Sequence, residues 1–75
     1  MRPHDHPAYD DAMQQAVRLA ARGTTAAVYI EDGKMFVCAA GQRPPQVNTV
    51  CIAQRWDDKT VQLRFDGAQS EWVKI

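Results

Sequence analysis

Cysteine, histidine and glycine are scarce in this chain, and each scarcity removes a class of function. Cys38 and Cys51 are the only cysteines and neither sits in a Cys-x-x-Cys pair, so a structural zinc site is not expected. Both histidines lie near the start, in His4-Asp5-His6. Two imidazoles and a carboxylate suit zinc, copper or nickel, but no rigid element holds them and no further ligand is near, so residues 1–6 read as a solvated, mobile leader. Gly23, Gly33, Gly41 and Gly67 each have a helix stop or a turn to explain them, which leaves no phosphate-cradling loop. Nucleophilic or general-base chemistry near neutral pH commonly uses a His, Cys or Ser poised by partners, and here both histidines lie in the leader and Ser70 reads as a loop residue, so no enzyme and no cofactor is expected. Asp57-Asp58 and Asp66-Gly67 are better explained as turns than as metal-binding carboxylates. No apolar run is long enough to span a bilayer, and the opening MRPHDHPAYDD lacks an apolar signal segment, so a cytoplasmic protein without membrane attachment is expected. Charge of one sign is missing too. Nine basic and nine acidic residues cancel, which argues against a surface that traps nucleic acid or anionic lipid everywhere, while leaving room for a local patch.

What is present suffices for one folded domain over residues 1–75, near the lower size limit for a self-sufficient core, so help from a second subunit is anticipated. Tyr9, Ala12, Met13, Ala16, Val17, Leu19 and Ala20 fall on one arc of a helical wheel, and Asp10, Asp11, Gln14, Gln15, Arg18 and Arg22 on the other. With Pro7 in the first turn, acidic residues at the amino end, basic ones at the other and Gly23 as the stop, the pattern predicts a helix over residues 7–22.

After Gly23 the period becomes two. Asp32-Gly33 suits a type I′ turn, which needs positive φ at both positions, and pairs Tyr29 with Phe36 and Val28 with Val37. A turn at Asp57-Asp58 would pair Ile52 with Leu63 and Val50 with Phe65. A connection centred on Pro44-Pro45, wider than a two-residue turn, would set Cys38 opposite Cys51. The tail EWVKI adds a fifth strand if DGAQS is its loop. On these registers Ala26, Val28, Ile30, Met35, Val37, Ala39, Val50, Ile52, Val61, Leu63, Phe65, Val73 and Ile75 share one face, which the helix can cover. The expected fold is α+β: an N-terminal helix on one face of a four- or five-stranded antiparallel meander, with a small SH3- or Sm-like barrel as the alternative.

The opposite face then holds Ala27, Tyr29, Glu31, Lys34, Phe36, Cys38, Cys51, Ala53, Arg55, Gln62, Arg64, Trp72 and Lys74, and nothing else in the chain is there to cover it. Aromatic rings among small and basic residues are unusual on a wet face. Tyr29, Lys34, Phe36, Cys38, Cys51, Arg55, Arg64, Trp72 and Lys74 are therefore the candidate binding residues, with Arg43 a contact in the stiff loop GQRPPQVN. Directly opposed strand residues bring Cβ atoms to about 4.5–5.5 Å, wider than a disulfide prefers, so Cys38 and Cys51 are expected to be free thiols, small residues at an interface.

The expected function is a non-catalytic protein-binding module, an inhibitor or adaptor, with a second copy of the chain among its partners. In size and neutrality it is similar to small inhibitors made by phages and plasmids, anti-CRISPR proteins among them. The rival is single-stranded nucleic acid, which aromatic rings flanked by cations could stack and neutralise. A helix followed by five strands, with the hairpin VYIEDGK, resembles Sm-like RNA-binding proteins; that resemblance implies RNA as the ligand and assigns no site residue.

Overall fold

The computed structural model describes residues 3–65 and 70–74. A single turn of 3-10 helix, Pro3–Asp5, leads into α1 (Tyr9–Ala21). Five strands follow: β1 (Ala26–Glu31), β2 (Lys34–Ala39), β3 (Asn48–Asp57), β4 (Thr60–Phe65) and β5 (Ser70–Lys74). All neighbours are antiparallel, in one open sheet of order β2-β1-β3-β4-β5, with α1 packed on one face. The α+β architecture thus follows the sequence pattern. No pairing among the described residues closes β2 against β5 into a barrel.

The helix ends as glycine chemistry dictates. Gly23 takes φ +94°, its N–H donates to the Ala20 carbonyl at 2.9 Å, and the Thr24 N–H reaches back to Leu19 at 3.0 Å. This double bond pattern, closed by a left-handed residue, satisfies carbonyls that would otherwise be orphaned. The buried residues of α1 are Ala12, Ala16 and Ala20, one per turn, so the helix presents a strip of methyl groups to the sheet. Against it lie Ala26, Val28, Val50, Cys51, Ala53, Val61 and Leu63. The core is thin: its largest fully buried side chains are Val28, Val61 and Cys51.

The first hairpin has the expected register, from Ala27↔Cys38 to Glu31↔Lys34, and Asp32 and Gly33 both take positive φ, 53° and 75°. Two other expectations fail. β3 pairs with β1, not with β2, so Cys38 and Cys51 are not opposed; β1 lies between their strands. The β2–β3 connection, residues 40–47, therefore crosses β1, from the Ala26 end to the Ile30 end. Four steps of strand are roughly 13 Å, within reach of such a segment even though its first residues, Ala40–Gln42, form a turn of 3-10 helix. It crosses on the side away from the helix. Arg43 donates to the Thr49 hydroxyl, Thr49 pairs with Tyr29 on that side, and Ala27, also on that side, has no exposed surface. The second face is consequently not bare.

The second failure is a slip of one residue between β3 and β4. Cys51 pairs with Phe65, Ala53 with Leu63 and Arg55 with Val61. The turn is Asp58-Lys59, one residue later than expected, because the Asp57 carboxylate accepts the Lys59 N–H at 2.8 Å and so belongs to the strand side of the loop. A bulge at Trp56 absorbs the difference, and a second at Val50 lets β3 pair with β1. Parity on β3 is thereby reversed: Cys51 and Ala53 go under the helix, and Ile52 and Gln54 go outside. Across β4, Val73 takes the helix side as anticipated, but its partner is Val61 and not Leu63, because β5 already begins at Ser70. The Asp66-Gly67 turn, the remainder of the DGAQS loop before Ser70, and Ile75 lie outside the described residues.

His6, at the end of the leader, contacts the folded part of the chain. The His6 Nε2–H donates to the Gly33 carbonyl at 2.8 Å while Nδ1 accepts the Ala8 N–H at 3.0 Å. The imidazole thus ties the helix start to the tip of the first hairpin, and both ring nitrogens are in use.

Candidate functional site

The side of the sheet away from the helix carries two aromatic pairs at opposite corners. The first is Tyr29 on β1 and Phe36 on β2, a directly opposed pair whose rings stack with centroids 5.3 Å apart. Cys38 follows along β2 on the same side, and Lys34 stands opposite Glu31 at the hairpin end. Desolvation first, then Cys38 and Glu31, holds the Tyr29 hydroxyl above its ordinary pKa, so it stays a protonated donor.

The second pair is Trp72 on β5 and Trp56 on β3. Their strands are not neighbours, since β4 runs between them, yet the two indoles meet edge to face with centroids 4.7 Å apart. They close over the Thr60 and Gln62 positions of β4, where Gln62 is flanked by Gln54 and Trp72. Arg64 pairs with Ser70 one alternation further along, and Lys74 pairs with Thr60 on the near side. The corner thus combines two indoles, 65% and 52% exposed, with two amide side chains and two cations. Such rings remain in water at a cost that burial against a partner would remove.

Of the residues singled out from sequence, Tyr29, Lys34, Phe36, Cys38, Arg64, Trp72 and Lys74 do share this side of the sheet. Cys51 and Arg55 do not, for the one-residue slip moves both to the helix side. Cys51 becomes part of the core. Arg55 sits at the rim of that side, where its guanidinium donates to the Asp57 carbonyl at 3.2 Å and to the Asp58 carboxylate at 2.7 Å, bracing the β3–β4 turn. Arg43 is taken up by its bond to Thr49 in the crossing segment. Trp56 is the residue that sequence reasoning missed. A turn centred on Asp57-Asp58 makes Trp56 a turn-flanking residue, and only the bulge carries its ring over β4. A signal was there nonetheless: a large aromatic directly before an Asp-Asp turn, with another indole on the next hairpin arm.

The two cysteines are free and have different environments. Burial pushes the Cys51 thiol up to about 11; a hydrogen bond with the Arg64 backbone lowers it somewhat and Glu71 raises it. Cys38 is half-exposed. In the native protein near pH 8, alkylation is expected to label Cys38 alone, with Cys51 labelled only after denaturant, as read by peptide mass mapping. A thiol whose folded pKa is raised contributes stability in full below its unfolded pKa, near 9, and that contribution is lost as pH climbs toward 11. Thermal melts across this window should fall more for the wild type than for Cys51→Ala, and parallel curves would contradict the assignment.

Among the described residues no group of three or more His, Cys, Asp or Glu is placed to hold a metal ion, and His4 reaches only its neighbour Asp5, at 3.4 Å. No described helix is long and apolar enough to cross a membrane. Comparison of the chain with protein-family models, curated proteins and solved structures returned no match.

Proposed function

We propose that this domain is a non-catalytic protein-binding module, an inhibitor or adaptor of the cytoplasm, whose contact surface is the Trp56/Trp72 corner with Arg64 and Lys74. The observation that carries the reading is the pair of indoles, more than half exposed and already held against each other by the sheet. Mutual contact restricts the rotamers of both rings, so little side-chain entropy is lost when a partner covers them. Tryptophan and arginine are also the residue types that dominate binding energy at protein interfaces. Nothing chemical competes with this reading at the corner: the thiol nearest the core is buried and protonated, and His6 has both nitrogens engaged elsewhere.

The test is the double variant Arg64→Glu with Trp72→Ala. Both side chains are exposed, so the melting temperature should change little, whereas affinity for a captured partner should fall about 30-fold or more if the pair is an interface anchor worth ~2 kcal/mol. Unchanged capture by the double variant, or its unfolding, would remove the proposal.

One observation favours a second reading. The slip that took Cys51 and Arg55 away brought Gln54 beside Gln62, so amides able to meet base edges stand beside Trp72 and next to Arg64. Stacking rings, amides and cations are what single-stranded nucleic acid requires. Titration with labelled single-stranded RNA and DNA at two salt concentrations separates the two: salt-dependent binding at tens of micromolar or below supports nucleic acid, and its absence leaves the protein partner.

A further inference from the structure

The two edges of the sheet are unequal. β5 carries Glu71 and Lys74, one on each side of the sheet, while β2 has Lys34 at its start and then Met35, Phe36, Val37, Cys38 and Ala39 without a charge or a proline. β2 is also regular: all six of its residues pair with β1 in one register, with no bulge to turn the edge away. Natural sheets protect free edges with inward charges, prolines, bulges or a covering element. Among the described residues none of these devices protects residues 35–39, so a row of backbone donors and acceptors faces outward, flanked by apolar side chains.

Those side chains are incompletely covered on both sides. Met35 and Val37 lie half-buried at the margin of the core, and Phe36, on the other side, is 40% exposed although stacked on Tyr29. A core whose fully buried side chains are no larger than valine has little burial to spare. An added strand would complete both margins at once.

From this geometry we infer that a second copy of the chain pairs along β2, antiparallel and related by a two-fold axis perpendicular to the sheet, giving one ten-stranded sheet with both helices on the same side. The strand is self-complementary for this. Turning it about such an axis keeps Met35, Val37 and Ala39 on the helix side in both copies and Phe36 and Cys38 on the other, so apolar meets apolar on each side. Its single charge, Lys34, is carried to opposite ends of the pair, and each Lys34 keeps its own cross-strand partner Glu31. No like charges are opposed. The pairing is independent of whatever the Trp56/Trp72 corner binds, because that corner lies at the far edge.

The experiment is light scattering on the eluting protein together with amide exchange. Wild type at high micromolar concentration should show twice the 8.4 kDa chain mass, Phe36→Lys should show the monomer mass with an unchanged circular dichroism spectrum, and Trp72→Lys at the other edge should remain dimeric. The β2 amides that point away from β1 should be protected at high concentration and exchange freely on dilution. A wild-type monomer, a Phe36→Lys dimer, or β2 exchange that does not depend on concentration overturns the inference. Should Phe36→Lys fail to fold, the wild-type exchange measurement decides alone.

Discussion

Ala53→Glu is expected to unfold the domain, while Gln54→Glu, one residue along, should leave its stability within about 0.5 kcal/mol. Ala53 has no exposed surface and lies between Ala26 and Leu63 in the cluster that α1 covers. A carboxylate there would lose its water, and Arg55, the cation of β3 on that side, is already held by Asp57 and Asp58 at the rim, so the cost is roughly 3–5 kcal/mol or protonation in its place. Total stability for a chain of this size is about 4–11 kcal/mol, so one such change removes a large part of it. Circular dichroism and a thermal melt of the two variants read the result directly. The comparison also tests parity on β3, since a strand displaced by one residue would bury Gln54 and expose Ala53.

Ala16→Leu should be the next most damaging change, for the opposite reason. Ala16 is fully buried in the middle of the methyl strip Ala12-Ala16-Ala20, and the residues facing that strip include Ala26, Ala53 and Cys51, all small. Small residues on both elements let the helix lie close to the sheet and leave no space for a larger side chain. Three additional carbons must push the helix away, which costs about 1–3 kcal/mol by the usual penalty for overpacking and loosens every contact along the helix. The measurement is the urea midpoint, with Gln15→Leu, on the exposed side of the same helix, as the comparison. An unchanged or higher midpoint for Ala16→Leu would mean that the layers are separated by unfilled space.

How much of this was legible in the sequence depends on the strand. The helix was, because its apolar arc, its glycine stop and its charged ends all agree. The first hairpin was, because Asp32-Gly33 demands one turn geometry and that geometry fixes the register. β3 was not. In NTVCIAQRW both alternations are apolar, Val50 and Ile52 on one and Cys51 and Ala53 on the other, so hydrophobic pattern could not decide which goes under the helix. What decides it is size and turn chemistry together: the fully covered strip of the helix is made of alanine methyls, small residues fit beneath them, and the Asx contact of Asp57 shifts the turn by one. The position of β3 beside β1 was equally hidden, since a connection containing Pro44-Pro45 states only that it is not tight. The candidate face inherits this division. Tyr29, Phe36, Arg64, Trp72 and Lys74 sit on strands whose parity the pattern fixed, whereas Cys51, Arg55, Gln54 and Trp56 all belong to β3 and changed roles together.

The strand order has a consequence for how the chain becomes a single body. β1 with β2, β3 with β4 and β4 with β5 are each neighbours along the chain, so every ladder except one closes over a short loop. The exception is β1 with β3, which joins two pieces that are otherwise complete in themselves and must wait for the crossing segment to be laid over β1. Among the described residues, that ladder and the helix packed across it form the seam between the two pieces. A break in residues 41–46 would leave two locally closed halves, each with most of its own hydrogen bonds, and whether they reunite depends on the β1–β3 ladder re-forming while the helix finds Cys51, Ala53, Val61 and Leu63 again.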